Sequence, residues 1–253
     1  MRRLAAAVLV CAWVLALSAC GDDAGESSSA PSLRVSAAAS LKQAFISYGE
    51  AFDAARAQFS FAGSDELAAQ IRAGARPDVF AAANAKLPDA LYADGLVEKP
   101  VAFARNRLVV AVPADGAKVN GLVDLARPGV TIAMGAPSVP VGSYTRKIIA
   151  GLPAAQRRGI LANVRSNEPD VGGVVGKVAQ GAADAGFVYV TDVKAAGGRL
   201  RAIELPASLS PEVVYEGAVV KGTDHPEQAR SFLRGLLSGG GRDALRQAGF
   251  EGP

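Results

Sequence analysis

Four helix starts in this chain share one chemical character, small or uncharged residues with no lysine or arginine. They are Ala37-Ala38-Ala39-Ser40, Gly63-Ser64, Ser138-Val139-Pro140-Val141-Gly142 and Glu168-Pro169-Asp170-Val171-Gly172. A helix start presents backbone N–H groups that have no intrahelical acceptor, at the positive end of the macrodipole. Several such ends meeting at one cleft would hold a small anion without a cationic side chain. Ser40 and Ser64 could aim hydroxyls at that anion. Each could equally be a plain N-cap, the commonest task of a serine in that place. Small residues at these turns also let helix pack against strand, so position alone leaves both readings open.

Other chemistry finds little material. The single histidine, His225, precedes Pro226 at a predicted helix start and reads as a surface or capping residue. No Gly-Xaa-Ser-Xaa-Gly turn gives a nucleophilic serine its strand–turn–helix setting. One histidine and no free cysteine are too few for a transition-metal cation site. The chain therefore reads as a binding protein and not an enzyme, with no cofactor. The tyrosines Tyr48, Tyr92, Tyr144, Tyr189 and Tyr215 are scattered, whereas a ferric-ion binder would want them paired. A phosphate binder would want an acceptor for the phosphate proton, which Asp65 or Asp170 could supply. Phosphate, sulfate and ferric ion thus remain as alternatives.

The elements that must position these junctions alternate from Leu33 onward between short β-like runs and amphipathic helices, an α/β pattern. Strands are expected at 33–36, 58–62 and 78–83. The first helix carries Leu41, Ala44, Phe45, Tyr48 and Phe52 on one face. A second, marked by Leu67, Ala68 and Ile71, can end at Gly74, and a third covers 84–93. Two longer apolar runs, 107–112 and 213–220, bracket a second set of units. That set has strands at 130–134, 184–189 and 200–205 and helices at 143–151 and 171–180. Only helices follow, at 226–237 and 242–247. The arrangement predicts one lobe interrupted by another, with the chain crossing near 109–112 and 214–219. The expected division is 32–110 with 217–253 for the first lobe and 111–216 for the second. In open α/β sheets ligands bind beyond the carboxyl ends of the strands, which is where the four junctions fall.

The amino-terminal end is of another kind. Arg2 and Arg3 precede an uncharged apolar run, 4–17, too short to span a bilayer comfortably and followed by small residues. Residues 1–19 therefore read as an export signal. Leu17-Ser18-Ala19-Cys20 resembles the lipobox of bacterial lipoproteins, which implies lipidation of Cys20 and cleavage before it. Two or more acyl chains, at about 0.8 kcal/mol per buried methylene, anchor a soluble domain firmly. Cys11 lies within the signal and Cys20 would carry lipid, so no disulfide remains and the exported part must be stable through its core alone. Residues 20–31, small and polar, read as a flexible tether. The net charge of +3, of which Arg2 and Arg3 supply two, argues for no nucleic-acid partner.

In order along the chain, further segments resemble one family. Val35-Ser36-Ala37-Ala38-Ala39-Ser40-Leu41 is similar to the opening of the molybdate-binding proteins, whose first strand ends in Ala-Ala-Ser-Leu. Phe61-Ala62-Gly63-Ser64 with Leu67-Ala68-Ala69-Gln70-Ile71 resembles their second segment, and Asn106-Arg107-Leu108 their asparagine-led hinge strand. Val139-Pro140-Val141-Gly142-Ser143-Tyr144 resembles their Val-Pro-Ala-Gly-Xaa-Tyr. Ala183-Asp184-Ala185-Gly186-Phe187-Val188-Tyr189 is similar to the segment that brings a binding tyrosine, and Gly249-Phe250 to their close.

The resemblance implies a two-lobed periplasmic-binding-protein fold of type II, two Rossmann-like lobes joined by two hinge crossings. It also implies capture of molybdate, and equally tungstate, for an ABC importer. Ser40 and Ser64 would bind the oxyanion by hydroxyl and N–H, Val141 and Val171 by N–H alone, and Tyr189 by its phenol. The implied partners are the membrane permease with its ATPase, and membrane lipid through Cys20. The implied protein is a monomer anchored outside the cytoplasm. Two positions depart from the pattern. Asp65 stands where the family often has serine, and is expected to point away from the cleft. Gly172 stands where an arginine is common.

Overall fold

The computed structural model describes residues 31–253. The expected export signal, Cys20 and the expected tether up to residue 30 lie outside the described residues. The first sheet is built from β1 (Ser32–Ala38), β2 (Arg56–Ala62), β3 (Val79–Ala82) and β4 (Val101–Asn106), with α1 (Lys42–Glu50), α2 (Ser64–Arg72) and α3 (Lys86–Ala93) between them. The chain then enters the second sheet. It runs through β5 (Leu108–Pro113), β6 (Ile132–Gly135), α4 (Pro140–Ala150), α5 (Ala154–Asn163), β7 (Val164–Glu168) and α6 (Val171–Ala179). β8 (Ala185–Tyr189), α7 (Val190–Ala195) and β9 (Leu200–Glu204) complete it. The chain returns as β10 (Val213–Val219), α8 (Pro226–Leu237) and α9 (Gly240–Ala248).

The strand orders are β2-β1-β3-β10-β4 and β7-β6-β8-β5-β9. In the first sheet β1 runs parallel to β2 and β3, and β10 is antiparallel to β3 and β4. In the second, β6 runs parallel to β7 and β8, and β5 is antiparallel to β8 and β9. Each sheet is thus four parallel strands with one antiparallel strand, β10 or β5, inserted next to the outermost of them. The two-lobed α/β fold anticipated from the sequence is the one observed, and the two lobes repeat one topology with no shared residue pattern to announce it.

The inner strands are apolar because helices cover both faces. Every residue of β3, β6 and β8 is buried, as are Leu108 to Val112 of β5. This corrects the expected crossing points. The apolar runs of β5 and β10 lie wholly inside sheets, since such strands need cover on both sides. The sheet changes instead at Arg107 and along 205–212, so divisions at 110/111 and 216/217 would cut two strands. Asn106 marks the first crossing. Its Oδ1 accepts from the Arg107 N–H at 2.9 Å, and its Nδ2 donates to Thr191 Oγ1 at 2.9 Å. Arg107 pairs with Glu204 at 2.9 Å and with Glu251 at 3.2 Å, which ties the chain's last residues to the crossing.

Candidate functional site

The four junctions lie at the carboxyl ends of β1, β2, β6 and β7, where the next helix begins. Local packing explains their small residues. A side-chain carbon on Gly142 would sit 1.9 Å from the Ala136 carbonyl oxygen, so only glycine lets α4 start against the end of β6. Pro140 occupies the first turn of α4, where its missing N–H costs nothing. On Gly63 a side-chain carbon would lie 2.4 Å from the Pro169 carbonyl oxygen, so the first lobe touches the second at that glycine.

Neither serine caps its helix. Ser40 lies inside a short 3-10 turn, 39–41, that leads into α1, and Ser64 is the first residue of α2 after the capping residue Gly63; no side-chain capping bond forms at either start. Both hydroxyls are therefore free of the duty that weighed against them in the sequence. Ser64, 1% exposed, accepts a hydrogen bond from the Ala83 N–H at 3.1 Å, which leaves its own proton to give. Ser40 Oγ lies 2.8 Å from the Tyr215 hydroxyl. The N–H groups of Val141 and Val171 belong to the first turns of α4 and α6, where no intrahelical acceptor exists. Asp170 caps α6 by accepting from the Gly173 N–H at 2.9 Å.

Ser40, Ser64, Val141, Val171 and Tyr189 line one small cavity of about 20 Å³ between the lobes. Ala38, Ala39, Ala62 and Ala83 close it on one side, Val139 and Pro140 on the other, and Asp170 is the only charged residue in its wall. Pockets for organic ligands run to roughly 300–1,000 Å³, so this space suits only a very small solute. Asp65 does not line it. The Tyr189 ring is 1% exposed and its hydroxyl has no hydrogen-bond partner. Burial pushes the Tyr189 phenol well above its ordinary value, with the neighbouring Tyr215 phenol adding to the shift, so it stays a neutral donor. A buried O–H without a partner costs about 1–3 kcal/mol, and an acceptor placed in the cavity removes that cost. The site is a set of donors from both lobes around a space with no cation in its wall.

Sequence reasoning did not single out Tyr215 or Asp192. Tyr215 sits in an apolar run, 213–220, whose other polar residue is Glu216, and nothing in the run ties its hydroxyl to Ser40. Asp192 is buried at the start of α7 and accepts from the Tyr189 N–H at 2.9 Å. A larger groove of about 480 Å³ lies on the far side of Ser40 and Val171, rimmed by the exposed Lys42, Gln43 and Arg199.

Residues 33–251 match the family of bacterial extracellular solute-binding proteins. The molybdate-binding protein of Mycobacterium tuberculosis is 39% identical over 258 residues, covering 97% of each chain. The substrate-binding domain of a putative molybdenum ABC transporter from Clostridium difficile is 28% identical with a TM-score of 0.66, covering 88% of this chain and 99% of that one. The periplasmic molybdate-binding protein of Azotobacter vinelandii superposes with a TM-score of 0.79 at 23% identity, covering 87% and 99%.

Proposed function

This chain belongs to the molybdate-binding branch of the bacterial extracellular solute-binding proteins, and we propose that it captures molybdate, or tungstate, between its lobes for an ABC importer. It is a binding protein and no step of its work is catalytic. The observation that carries the reading is the partnerless Tyr189 hydroxyl, buried in a small cavity with the Ser40 and Ser64 hydroxyls and two helix starts.

Molybdate and tungstate are fully deprotonated dianions whose oxygens only accept. Ser40, Ser64 and Tyr189 supply O–H donors, Val141 and Val171 supply N–H donors, and the helix starts supply positive potential. The charge is balanced by dipoles, so the ion is held firmly yet carries no fixed counter-charge that would hinder release. Sulfate offers the same charge with shorter bonds and must be rejected by distance. Hydrogen phosphate carries a proton, for which Asp170 is the one carboxylate in the wall, and this makes phosphate the second reading.

Isothermal titration of residues 31–253 with molybdate, tungstate, sulfate and phosphate tests it. The expected order is molybdate about equal to tungstate, then sulfate, then phosphate. Tight phosphate binding, or sulfate competing on equal terms, would overturn the ligand while leaving the family standing. We further propose that Cys20 carries the lipid that holds a monomeric protein at the outer face of the membrane, beside the importer's permease and its ATPase. Cys20→Ser should release the protein from the membrane fraction, and identical fractionation with an unchanged mass would refute the anchor.

A further inference from the structure

A hydroxyl can give or accept, and an oxyanion site works only if its hydroxyls give. What fixes Ser40 as a donor lies behind it. The Tyr215 ring is fully buried against Phe103, Tyr189 and Phe250, at centroid distances of 6.3, 5.9 and 5.2 Å. A bulge in the pairing of β10 with β4 falls between Tyr215 and Glu216, the kind of irregularity that re-aims a side chain. The Tyr215 oxygen has two hydrogen-bond partners, Ser40 Oγ at 2.8 Å and Asn106 Nδ2 at 3.5 Å, with the Tyr189 phenol as a further neighbour.

The polarity of this chain of bonds is set at its far end. Asn106 Oδ1 accepts from the Arg107 N–H, so the amide's nitrogen must face Tyr215 and Thr191. Asn106 therefore gives to Tyr215 and cannot receive from it. Among the groups in hydrogen-bond contact with Tyr215, its proton then has one acceptor, Ser40 Oγ; the neighbouring Tyr189 hydroxyl does not come within hydrogen-bond distance. With the Tyr215 proton on one of its two lone pairs, Ser40 cannot aim its own proton at Tyr215, which leaves that proton for the cavity that it lines. Burial keeps the Tyr215 phenol well above its ordinary value, with Asp192 adding to the shift, so the proton is present throughout the neutral range.

We infer that Tyr215, held by Asn106, is a positioning residue that locks Ser40 as a hydrogen-bond donor and so sets the preference for fully deprotonated oxyanions. This rests on the proposed oxyanion site. Without the lock Ser40 could rotate and accept a proton, which would favour hydrogen phosphate.

The experiment is a double-mutant cycle of Tyr215→Phe and Ser40→Ala, titrated with molybdate and with phosphate, alongside thermal midpoints. Tyr215→Phe keeps the ring and should leave the midpoint little changed. It should weaken molybdate roughly 3- to 10-fold, the scale of one neutral hydrogen bond, and narrow the molybdate-to-phosphate ratio. In the Ser40→Ala background the same change should do nothing to either anion. Asn106→Asp is the second variant. Its carboxylate would draw the Tyr215 proton away from Ser40, and it should weaken molybdate more with Ser40 present than in the Ser40→Ala background. Additive effects in both cycles, or an unchanged ratio, overturn the inference. If the wild type prefers phosphate or sulfate, the ligand reading fails but coupling between Tyr215 and Ser40 for that anion still upholds the positioning role. A wild type that binds none of these anions defeats both.

Discussion

Tyr189 is buried with a hydroxyl that the protein itself leaves without a partner. Tyr189→Phe keeps its edge contact with Tyr215 and removes the donor alone. Hydrogen bonds to charged groups contribute about 1.5–3 kcal/mol, so molybdate should bind roughly ten- to a hundredfold more weakly in calorimetry. Equal affinity would take Tyr189 out of the site. Asp170 tests the opposite sign. Asn caps a helix as well as Asp does, so Asp170→Asn should leave the fold intact and molybdate affinity equal or higher, since a negative charge leaves the cavity wall. Phosphate affinity should fall if Asp170 takes its proton. At this scale the sequence located the helix starts that line the cavity where a start coincided with a family motif, as at Ser40, Ser64 and Val141. It could not tell a cap from a free hydroxyl, because that depends on which residue the turn places first. Nor could it find Tyr215, whose partner Ser40 lies 175 positions away.

Elements came through unevenly, for physical reasons. Strands with buried, β-branched interiors and helices with one apolar face were legible. β7 was not, because Val-Arg-Ser-Asn-Glu forms an edge strand with no buried residue, and α5 buries only Ile160 and Asn163. Helix α4 begins three residues earlier than its apolar pattern predicts, because Pro140 fits the first turn and Gly142 permits the close approach to β6. Gly142→Ala should therefore disturb the start of α4. Overpacking costs about 1–3 kcal/mol, and for a chain of this size each kcal/mol lowers the thermal midpoint by about 2–4 °C. A wild-type midpoint in Gly142→Ala would mean the helix start is looser than its contacts indicate. The start of α7 makes a pH-dependent contribution. Burial pushes the Asp192 carboxyl up to about 7, against the lowering effect of the Tyr189 N–H, with Asp170 adding to the rise. An unfolded aspartate titrates near ~3.9, so between about pH 4 and 7 the folded chain holds the extra proton. This contribution is present in full below that window and lost as pH rises through 7. Asp192→Asn should keep the contact with the Tyr189 N–H and flatten this slope in calorimetric scans. A slope equal to that of the wild type would assign the proton elsewhere.

At the scale of the whole molecule, the lobes are joined at Arg107 and along 205–212, and meet again across the cavity where Gly63 faces Pro169. Ligand capture between lobes in this architecture works by hinge closure, and the Gly63–Pro169 contact is where such closure would bring the lobes together. Gly63→Ala separates closure from folding. Gly63 has φ −60° and ψ 136°, extended backbone that alanine adopts freely. The loss of a good capping residue and the reduced freedom of the unfolded chain are opposed effects, each of about 0.5–1 kcal/mol, so the thermal midpoint of the ligand-free protein should change little. In the open arrangement the added methyl group meets nothing from the second lobe, and the one close atom of its own lobe, Asp65 Oδ1 at 2.8 Å, is the end of a side chain that can turn aside. On closure it would lie 2.4 Å from the Pro169 carbonyl oxygen, which no backbone contact tolerates. Small-angle scattering should show the wild type becoming more compact with molybdate and Gly63→Ala compacting less, with weaker affinity in titration. If Gly63→Ala compacts and binds as the wild type does, the Gly63–Pro169 contact is not part of the liganded state, and the donors of the two lobes must meet the anion in another arrangement.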